Sequence, residues 1–360
     1  MSVITPPGQA PEQQAVPDAP ARDSYLKRLA NLQSVWILGV LLVIVAAFSI
    51  AAGDKFLSTS NFSLISQNIA VWAVLGVGMT FVIITSGIDL SIGSVLVFSS
   101  VVAAKVMQAV GGEGWGVAAL GILAALVSGI AWGVLNGFLI AKAKIPPLIV
   151  TLGSLSVALG LAQVLTGGID IRAVPEVLTD FNTYIKILGI PALPFVALVV
   201  VIIGGIVLHK TRFGRYTYAV GSNELGARRV GINVDRHLIL VYALSGLMAG
   251  LGAVLALAQF GTTTIAGQSL TNLNVIAAVV IGGAPLAGGD GSIVGSVLGA
   301  LLMTVIRAGA VHKGMPSWTQ EIATGFIIVV AVAIDQARRG EAGGLSFVLR
   351  LLRLLRLGAK

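Results

Sequence analysis

The sequence contains no cysteine and only three histidines, which stand apart from one another at positions 209, 237 and 312. Without cysteine there is no disulfide, no thiolate nucleophile and no cysteine-ligated metal. The isolated histidines give no cluster for a metal, so we expect no metal site. The phosphate-loop pattern G-x-x-x-x-G-K-[ST] is also missing, and neither H-E-x-x-H nor G-x-S-x-G stands in a plausible frame. We therefore predict that the chain has no catalytic residue and is not an enzyme.

Charge is scarce as well. Only 11% of the 360 residues are charged, whereas a water-soluble domain has about 25%. Hydrophobic residues make up 56% of the chain, the mean hydropathy is +0.96, and several apolar runs reach the ~20 residues that cross a bilayer core. The alternating ~10-residue segments of an outer-membrane barrel are absent. We therefore predict an all-α polytopic membrane protein.

The apolar pattern predicts about ten transmembrane helices, or eight with two re-entrant segments. Residues 1–30 are predicted to be a disordered cytoplasmic tail, 31–336 the membrane domain, and 337–360 a basic tail whose Arg350, Arg353 and Arg356 lie on one face of an amphipathic helix. The predicted spans are 33–52, 62–84, 92–109, 116–140, 147–166, 191–209, 238–260, 272–284, 292–307 and 318–335.

The basic residues indicate the orientation of these spans. Most Lys and Arg fall in the two tails and in the segments that follow even-numbered spans. Basic segments stay on the cytoplasmic side, so we predict that both termini and these segments are cytoplasmic. The other side receives Lys55, Arg172, Lys186, Arg307 and Lys313. The net charge of +8 therefore indicates loops that face anionic lipid headgroups, and we expect no nucleic-acid partner.

Residues 210–237 form the longest polar island between apolar segments, with six Lys or Arg against Glu224 and Asp235. We interpret this island as the place where the membrane protein contacts a soluble partner. On the other side, 167–190 is the longest polar piece and carries charges of both signs. It either docks a second soluble partner or is a solvated connector.

Two aspartates, Asp89 and Asp290, stand in Gly- and Ser-rich interruptions, and the local sequence DLSIGSVL (89–96) is echoed by DGSIVGSVL (290–298). Such interruptions occur in broken helices around transport paths, where buried acids tend to be functional. They also fit short cytoplasmic hairpins whose aspartate caps the next helix. The two interpretations are compatible.

Amides recur within and at the ends of the spans, and one aromatic side chain, Trp72, stands beside them. Neutral donors and acceptors next to an aromatic ring suit a polyhydroxylated solute, although helix packing uses the same residues. The candidate translocation path consists of Asn68, Trp72, Asp89, Asn136, Gln163, Asn272, Asn274 and Asp290.

Four motifs taken together resemble one family. TSGIDLSIGS (85–94), NGFLIAKAKIPPLIVTLG (136–153), GRYTYAVGSNELGARRVGINV (214–234) and GGAPLAGGDGSIVGS (282–296) are similar to segments of the ribose-, xylose- and galactose-type ABC importer permeases. The resemblance covers about 34–336; branched-chain amino acid permeases are more distant relatives. It implies a bacterial cytoplasmic-membrane protein that pairs with a second permease copy, a cytoplasmic ATPase that binds ATP and Mg, and a periplasmic or lipid-anchored sugar-binding protein.

The resemblance further implies that residues 214–234 dock the ATPase. Small residues let a short helix seat closely in a groove, while Arg228 and Arg229 can pair with acids of the partner. The family's leading glutamate falls on Leu225, with Glu224 one position earlier. The predicted coupling residues are Gly214, Arg215, Asn223, Glu224, Gly226, Ala227, Arg228, Arg229 and Gly231.

Three alternatives remain open from the sequence. One is an ion-coupled secondary transporter that uses Asp89 and Asp290 as carriers. The second is a channel, although no filter sequence is recognisable. The third is an ABC permease for another small polar solute, such as a nucleoside or a branched-chain amino acid.

Overall fold

The computed structural model describes residues 33–338 except 173, 267 and 269. The predicted tail 1–30 and most of the predicted tail 337–360 lie outside these residues. The described part is almost wholly helical, which confirms the all-α fold class. The helices are α1 (Gln33–Ala52), α2 (Thr59–Ile84), α3 (Ile92–Val110), α4 (Trp115–Ala141), α5 (Pro147–Thr166), α6 (Glu176–Thr183), α7 (Leu193–Lys210), α8 (Arg212–Ser222), α9 (Glu224–Arg229), α10 (Val234–Phe260), α11 (Thr271–Ile281), α12 (Ile293–His312) and α13 (Ser317–Arg338).

Two minor elements complete this part of the chain. A 3₁₀ turn covers Gly53–Lys55 after α1. Strands β1 (Lys186–Ile187) and β2 (Ile190–Pro191) pair antiparallel before α7, with Lys186 opposite Pro191.

Eight helices, α1 to α5, α7, α10 and α12, are long and apolar enough to cross a membrane. Local chemistry sets their ends: Pro147 starts α5 at a position where its missing N–H costs nothing, and Gly261 ends α10 in the left-handed region. α11 is short, with 11 residues, so the number of spans stays a prediction. The ninth predicted span ended at 307, whereas α12 continues to His312, so Arg307 lies inside a helix.

α2 lies at the centre of the domain. In its most apolar stretch of 18 residues 83% of the residues are buried, against 11% in the corresponding stretch of α1. α2 packs against α7, α8, α10, α11 and α12. The outer helices α4, α5 and α7 keep apolar side chains such as Leu123, Ile149 and Ile203 exposed on their outward faces. Such faces suit contact with lipid tails.

Helices α4 and α10 pack closer than any side chain allows. Gly129, Gly133 and Gly137 of α4 lie against the backbone of Gly246, Tyr242 and Ile239 of α10, and a Cβ on Gly129 or Gly133 would fall far inside van der Waals contact with a carbonyl oxygen. Small residues of this kind let membrane helices approach backbone to backbone. The two helices therefore form one tightly joined pair.

The connecting segments gather at two ends. We call the end that contains 85–91, 142–146, 211–233 and 282–292 the basic end, and the end that contains 53–58, 111–114, 167–192 and 261–270 the opposite end. At the basic end, the Gly289 N–H donates to the Ile84 carbonyl at 2.9 Å. At the opposite end, the Ile171 N–H donates to Thr263 Oγ1 at 2.8 Å. This grouping of segments agrees with the one predicted from their charges.

Candidate functional site

The predicted coupling segment folds into two short helices at the basic end. Thr211 Oγ1 caps α8 by accepting the Gly214 N–H at 3.4 Å. Gly214 is required because a Cβ there would collide with the carbonyl of Leu208 at the end of α7. The close approach fixes the direction in which α8 leaves the membrane helix, while Arg215 stays exposed on its surface.

α9 is the second of these helices, and its ends are well defined. Asn223 Oδ1 caps it by accepting the Gly226 N–H at 2.8 Å, and Glu224 pairs with Arg228 at 2.9 Å one turn on. The chain leaves the helix through Gly231, whose φ of +86° lies in the left-handed region. The cap, the ion pair and the terminal glycine all lie within the nine residues 223–231.

One aspartate ties α9 to the rest of the basic end. Asp235, on the first turn of α10, accepts from Arg228 at 2.6 Å, Lys144 at 2.9 Å and Lys142 at 3.3 Å. The hydrogen bonds of Arg228 to Asp235 and to Glu224 raise the pKa of its guanidinium above the ordinary value. The cluster of Lys142, Lys144, Arg228 and Asp235, which we call the Asp235 hub, joins α9 to the α4–α5 connection. Arg228 is thus engaged within the chain, whereas Arg229 is exposed.

Two apolar side chains are exposed on and just after α9, among charged neighbours. Leu225 is 71% exposed and Val230 77%, whereas Ala227 is buried against Val220 and Val234. Leu225, at the position where the family motif has glutamate, therefore points away from the chain. The exposed surface of this segment therefore combines Leu225 and Val230 with the charged side chains of Glu224, Arg228 and Arg229.

A second polar cluster is buried in the interior near the basic end. Asp89 Oδ1 accepts from Ser91 Oγ at 2.6 Å and from the Ser91 N–H at 2.9 Å, and Oδ2 accepts from Ser245 Oγ at 2.7 Å. Ser91 Oγ in turn accepts from Asn136 Nδ2 at 2.9 Å, and Ser154 Oγ donates to the Asn136 carbonyl oxygen. This Asp89 network links α3, α4, α5 and α10 by neutral donors.

The capping interpretation of the two aspartates holds only in part. Asp89 accepts a backbone N–H just before α3, but its second oxygen binds α10. Asp290 is exposed, and the cap of α12 is Ser292 Oγ, which accepts the Gly295 N–H at 3.0 Å. Burial and the nearby Asp290 charge raise the pKa of Tyr218 to about 12. Neither aspartate stands open in a shared cavity, as a pair of ion carriers would require.

The remaining path candidates do not form one cluster. Asn68 accepts from Gln259 Nε2 at 3.0 Å near the opposite end, and Trp72 lies at the centre of α2 beneath the guanidinium of Arg307. Asn272 and Asn274 are buried at the start of α11. Gln163 is exposed on α5, away from these residues. The structure thus brings together Asp89 with Asn136, and separately Trp72 with Arg307.

Several residues of these sites carry no sequence signal of their own. Ser91, Ser154 and Ser245 look like ordinary small residues of membrane helices, and Asp235 was noted only as one of two acids in a basic segment. Arg307 did carry a signal, since an arginine next to an apolar run is costly inside the membrane. Within residues 33–338, apart from 173, 267 and 269, no group of three His, Asp or Glu side chains is placed to hold a metal ion.

Comparison with known proteins gives a consistent set of relatives. The family model described as "Branched-chain amino acid transport system / permease component" matches residues 61–332. The chain is 36% identical over 315 residues to the ribose import permease protein of Escherichia coli K12, covering 86% of this chain and 95% of the relative. It is 37% identical over 306 residues to the fructose import permease protein of Rhizobium meliloti (82% and 83%), and 32% identical over 297 residues to the autoinducer 2 import system permease protein of Yersinia enterocolitica (82% and 81%). No solved structure matches the chain.

Proposed function

The chain belongs to the family of branched-chain amino acid transport system permease components, and from that premise we propose that it is the membrane subunit of an ATP-driven importer for a monosaccharide or similar polyol. The observation that carries the proposal is α9, a capped and exposed helix that is tied through the Asp235 hub to the membrane helices. Such a helix can receive movement from a soluble partner and pass it to the membrane domain.

The partner of this surface is a cytoplasmic ATPase. The chain has no phosphate loop, so ATP and Mg are bound by that separate subunit and not here. Leu225 and Val230 enter the ATPase groove, and Arg215 and Arg229 pair with acids around it. The Gly214 contact holds α8 against α7, and the Asp235 hub holds α9 to the α4–α5 connection. When the ATPase closes, these elements therefore move with it.

The relatives suggest the substrate class, since two of the three are named for the import of ribose and fructose. Trp72 and the amides of α2 and α11 remain the candidate contacts for a sugar along the path. A second permease copy completes the path, and a sugar-binding protein delivers the solute at the opposite end. The importer lies in the bacterial cytoplasmic membrane.

A reconstituted system tests this function. The chain would be placed in liposomes with its ATPase and binding protein, and uptake of labelled D-ribose and D-fructose would be followed with and without ATP. We expect uptake only with ATP and the complete complex. Sugar uptake by the chain alone, driven by an ion gradient, would instead support a secondary transporter.

Leu225→Lys and Arg229→Glu test the docking surface, with Leu188→Lys as the matched control because Leu188 is 93% exposed at the opposite end. The first two variants should prevent copurification with the ATPase and leave membrane insertion unchanged. If they copurify as well as the control, the ATPase binds elsewhere.

A further inference from the structure

The two connections that carry the echoed sequence meet each other at the basic end. Ser86 Oγ, just after α2, donates to the Ala287 carbonyl at 2.7 Å, although these residues lie 201 positions apart. The Gly289 N–H donates to the Ile84 carbonyl at 2.9 Å. We call residues 84–87 and 287–291 the paired loops. Their contact joins the end of α2 to the segment that leads into α12.

The last turn of α8 lies directly on the paired loops. Gly221 approaches so closely that a Cβ there would fall far inside van der Waals contact with the Ile84 carbonyl oxygen and 2.8 Å from the Gly289 nitrogen. The Gly221 carbonyl also accepts from Ser86 Oγ at 3.3 Å. Only glycine permits this approach, so α8 contacts both loops through one residue.

Tyr218 makes a second attachment one turn earlier on α8. Its hydroxyl donates to the Gly291 carbonyl at 2.6 Å, in the loop before α12. Its ring stacks against His209 of α7, with 6.4 Å between the ring centroids. Tyr218 thus fixes α8 to the segment that leads into α12, while the hydrogen bond of Ser86 to Gly221 fixes it to the segment that leaves α2.

Ser86, at the centre of this contact, has a strained backbone. Its φ of +60° lies in the left-handed region, which residues other than glycine seldom occupy. Its side chain is exposed, and its hydroxyl faces the carbonyls of Ala287 and Gly221. Such strain persists only where neighbouring segments hold the residue in place. Because these hydrogen bonds are exposed, they can be released without opening the buried core, unlike those of the Asp89 network.

The Asp235 hub leads to other helices. It joins α9 to the α4–α5 connection and to the first turn of α10, and α4 and α10 form one tightly joined pair. Movement that passes through the hub therefore reaches that pair. The contacts of α8 lead instead to the ends of α2 and α12, so the docking segment has a second route into the membrane domain.

We propose that Ser86, Tyr218 and Gly221 are positioning residues for transport, through which movement of α8 joins or parts the paired loops. With α8 seated as in this structure, the loops are joined and the ends of α2 and α12 are held together. When the ATPase moves α8, the exposed hydrogen bonds break and these ends separate at the basic end. This assignment rests on the proposed function and names the helices that the docking segment controls.

Cross-linking of the paired loops tests their movement in the complete complex. The chain has no cysteine, so Ser86→Cys with Ala287→Cys introduces one pair of thiols. Dibromobimane links two neighbouring thiols and fluoresces only after both have reacted. In lipid nanodiscs we expect rapid cross-linking without nucleotide, and severalfold slower cross-linking when a non-hydrolysable ATP analogue holds the ATPase closed. Equal rates in the two states, after correction by monobromobimane labelling of each single variant, would overturn the proposal.

The same double variant shows whether the movement is needed. ATP-dependent uptake of D-ribose and D-fructose into liposomes is measured before and after cross-linking, so that effects of the substitutions themselves cancel. The cross-linked complex should retain its ATPase but lose uptake, because the paired loops can no longer part. Uptake that complete cross-linking leaves undiminished would contradict the proposal.

Tyr218→Phe removes one attachment of α8 and creates no cavity. We expect unchanged ATPase copurification and ATP hydrolysis, but severalfold less sugar carried per ATP hydrolysed, because α8 then moves without the loop before α12. Tyr216→Phe is the matched control, since Tyr216 lies on the same helix and its ring packs against His237 of α10. A merely structural role would lower copurification or thermal stability and leave the ratio of sugar to ATP equal to that of the control, which would overturn the assignment.

These outcomes separate the inference from the proposed function. If the unaltered chain neither binds an ATPase nor imports sugar with ATP, the proposed function fails and the inference fails with it. If the unaltered importer carries sugar but nucleotide does not change the cross-linking rate, the paired loops stay joined throughout transport and the proposed function stands.

Discussion

Asp89 and Asp235 are both multiply bonded carboxylates near the basic end, but their surroundings differ. Asp89 is 3% exposed and its partners are hydroxyls and a backbone N–H, whereas Asp235 has an 18% exposed side chain and binds three cations that are themselves partly in water. Bonds in the interior are not screened by salt, while those at the surface are. The Asp89 network therefore fixes the packing of helices, and the Asp235 hub is a connection that can be made and released.

A substitution in the glycine contact between α4 and α10 should cause the largest loss of stability. Gly133→Ala places a methyl group against the Tyr242 carbonyl, and we expect a loss of about 3 kcal/mol of stability or failure to insert, because a backbone contact cannot give way. Thermal unfolding in detergent, followed by size exclusion, measures this loss. Gly153→Ala is the control, since a Cβ there meets nothing within 4 Å. Equal stability of the two variants would show that α4 and α10 separate easily.

Asp89→Asn should have the next largest effect. The amide retains one acceptor oxygen and turns a donor toward a serine hydroxyl, so we expect a loss of about 2 kcal/mol that does not change with salt. Asp290→Asn, at an exposed position, should leave the unfolding temperature unchanged. If the two variants behave alike, the interior network does not hold the helices together.

Asp235→Asn should cost less stability but impair coupling. We expect a loss of about 1 kcal/mol at low salt, because the cations around it are largely solvated, and a severalfold fall in ATP-dependent uptake. The difference from the unaltered protein should shrink at high salt. Asp180→Asn, at an exposed acid of the opposite end, serves as the control. Full uptake by Asp235→Asn would mean that α9 moves the membrane domain without the hub.

Glu224→Gln should have the smallest effect. Its pair with Arg228 is an exposed one-turn helix contact, worth about 0.3–0.5 kcal/mol. The unfolding temperature and ATPase copurification should both stay close to those of the unaltered chain. An effect as large as that of Asp235→Asn would place Glu224 within the hub and would remove the contrast between buried and surface bonds.

Much of this arrangement follows from the sequence. The apolar runs predict where the long helices lie, and the basic residues predict which connecting segments lie at the same end. The predicted family is confirmed by the relatives and the family match. The ends of helices were less certain, because hydropathy falls gradually: α12 extends past the predicted residue 307 to His312.

The partners of polar residues were beyond prediction for a different reason. Asp89 was noticed from its sequence context, but Ser245 lies 156 positions away and has no pattern that links the two. Arg228 was predicted to face an external acid, whereas the fold supplies Asp235 within the chain. Charges in a sequence can be counted, but their pairing depends on how the helices pack.

The glycine-lined contact of α4 with α10 limits how an alternating path can open. Because their backbones are in direct contact, the two helices can neither rotate against each other nor slide by one residue, and they move as one rigid unit. Lys142 after α4 and Asp235 at the start of α10 belong to this unit. Any hinge must then lie at interfaces built from side chains. α2 and α12 meet at such an interface, where the hydroxyls of Thr80 and Ser296 share one hydrogen bond of 2.7 Å, and we expect this contact to change when the path opens.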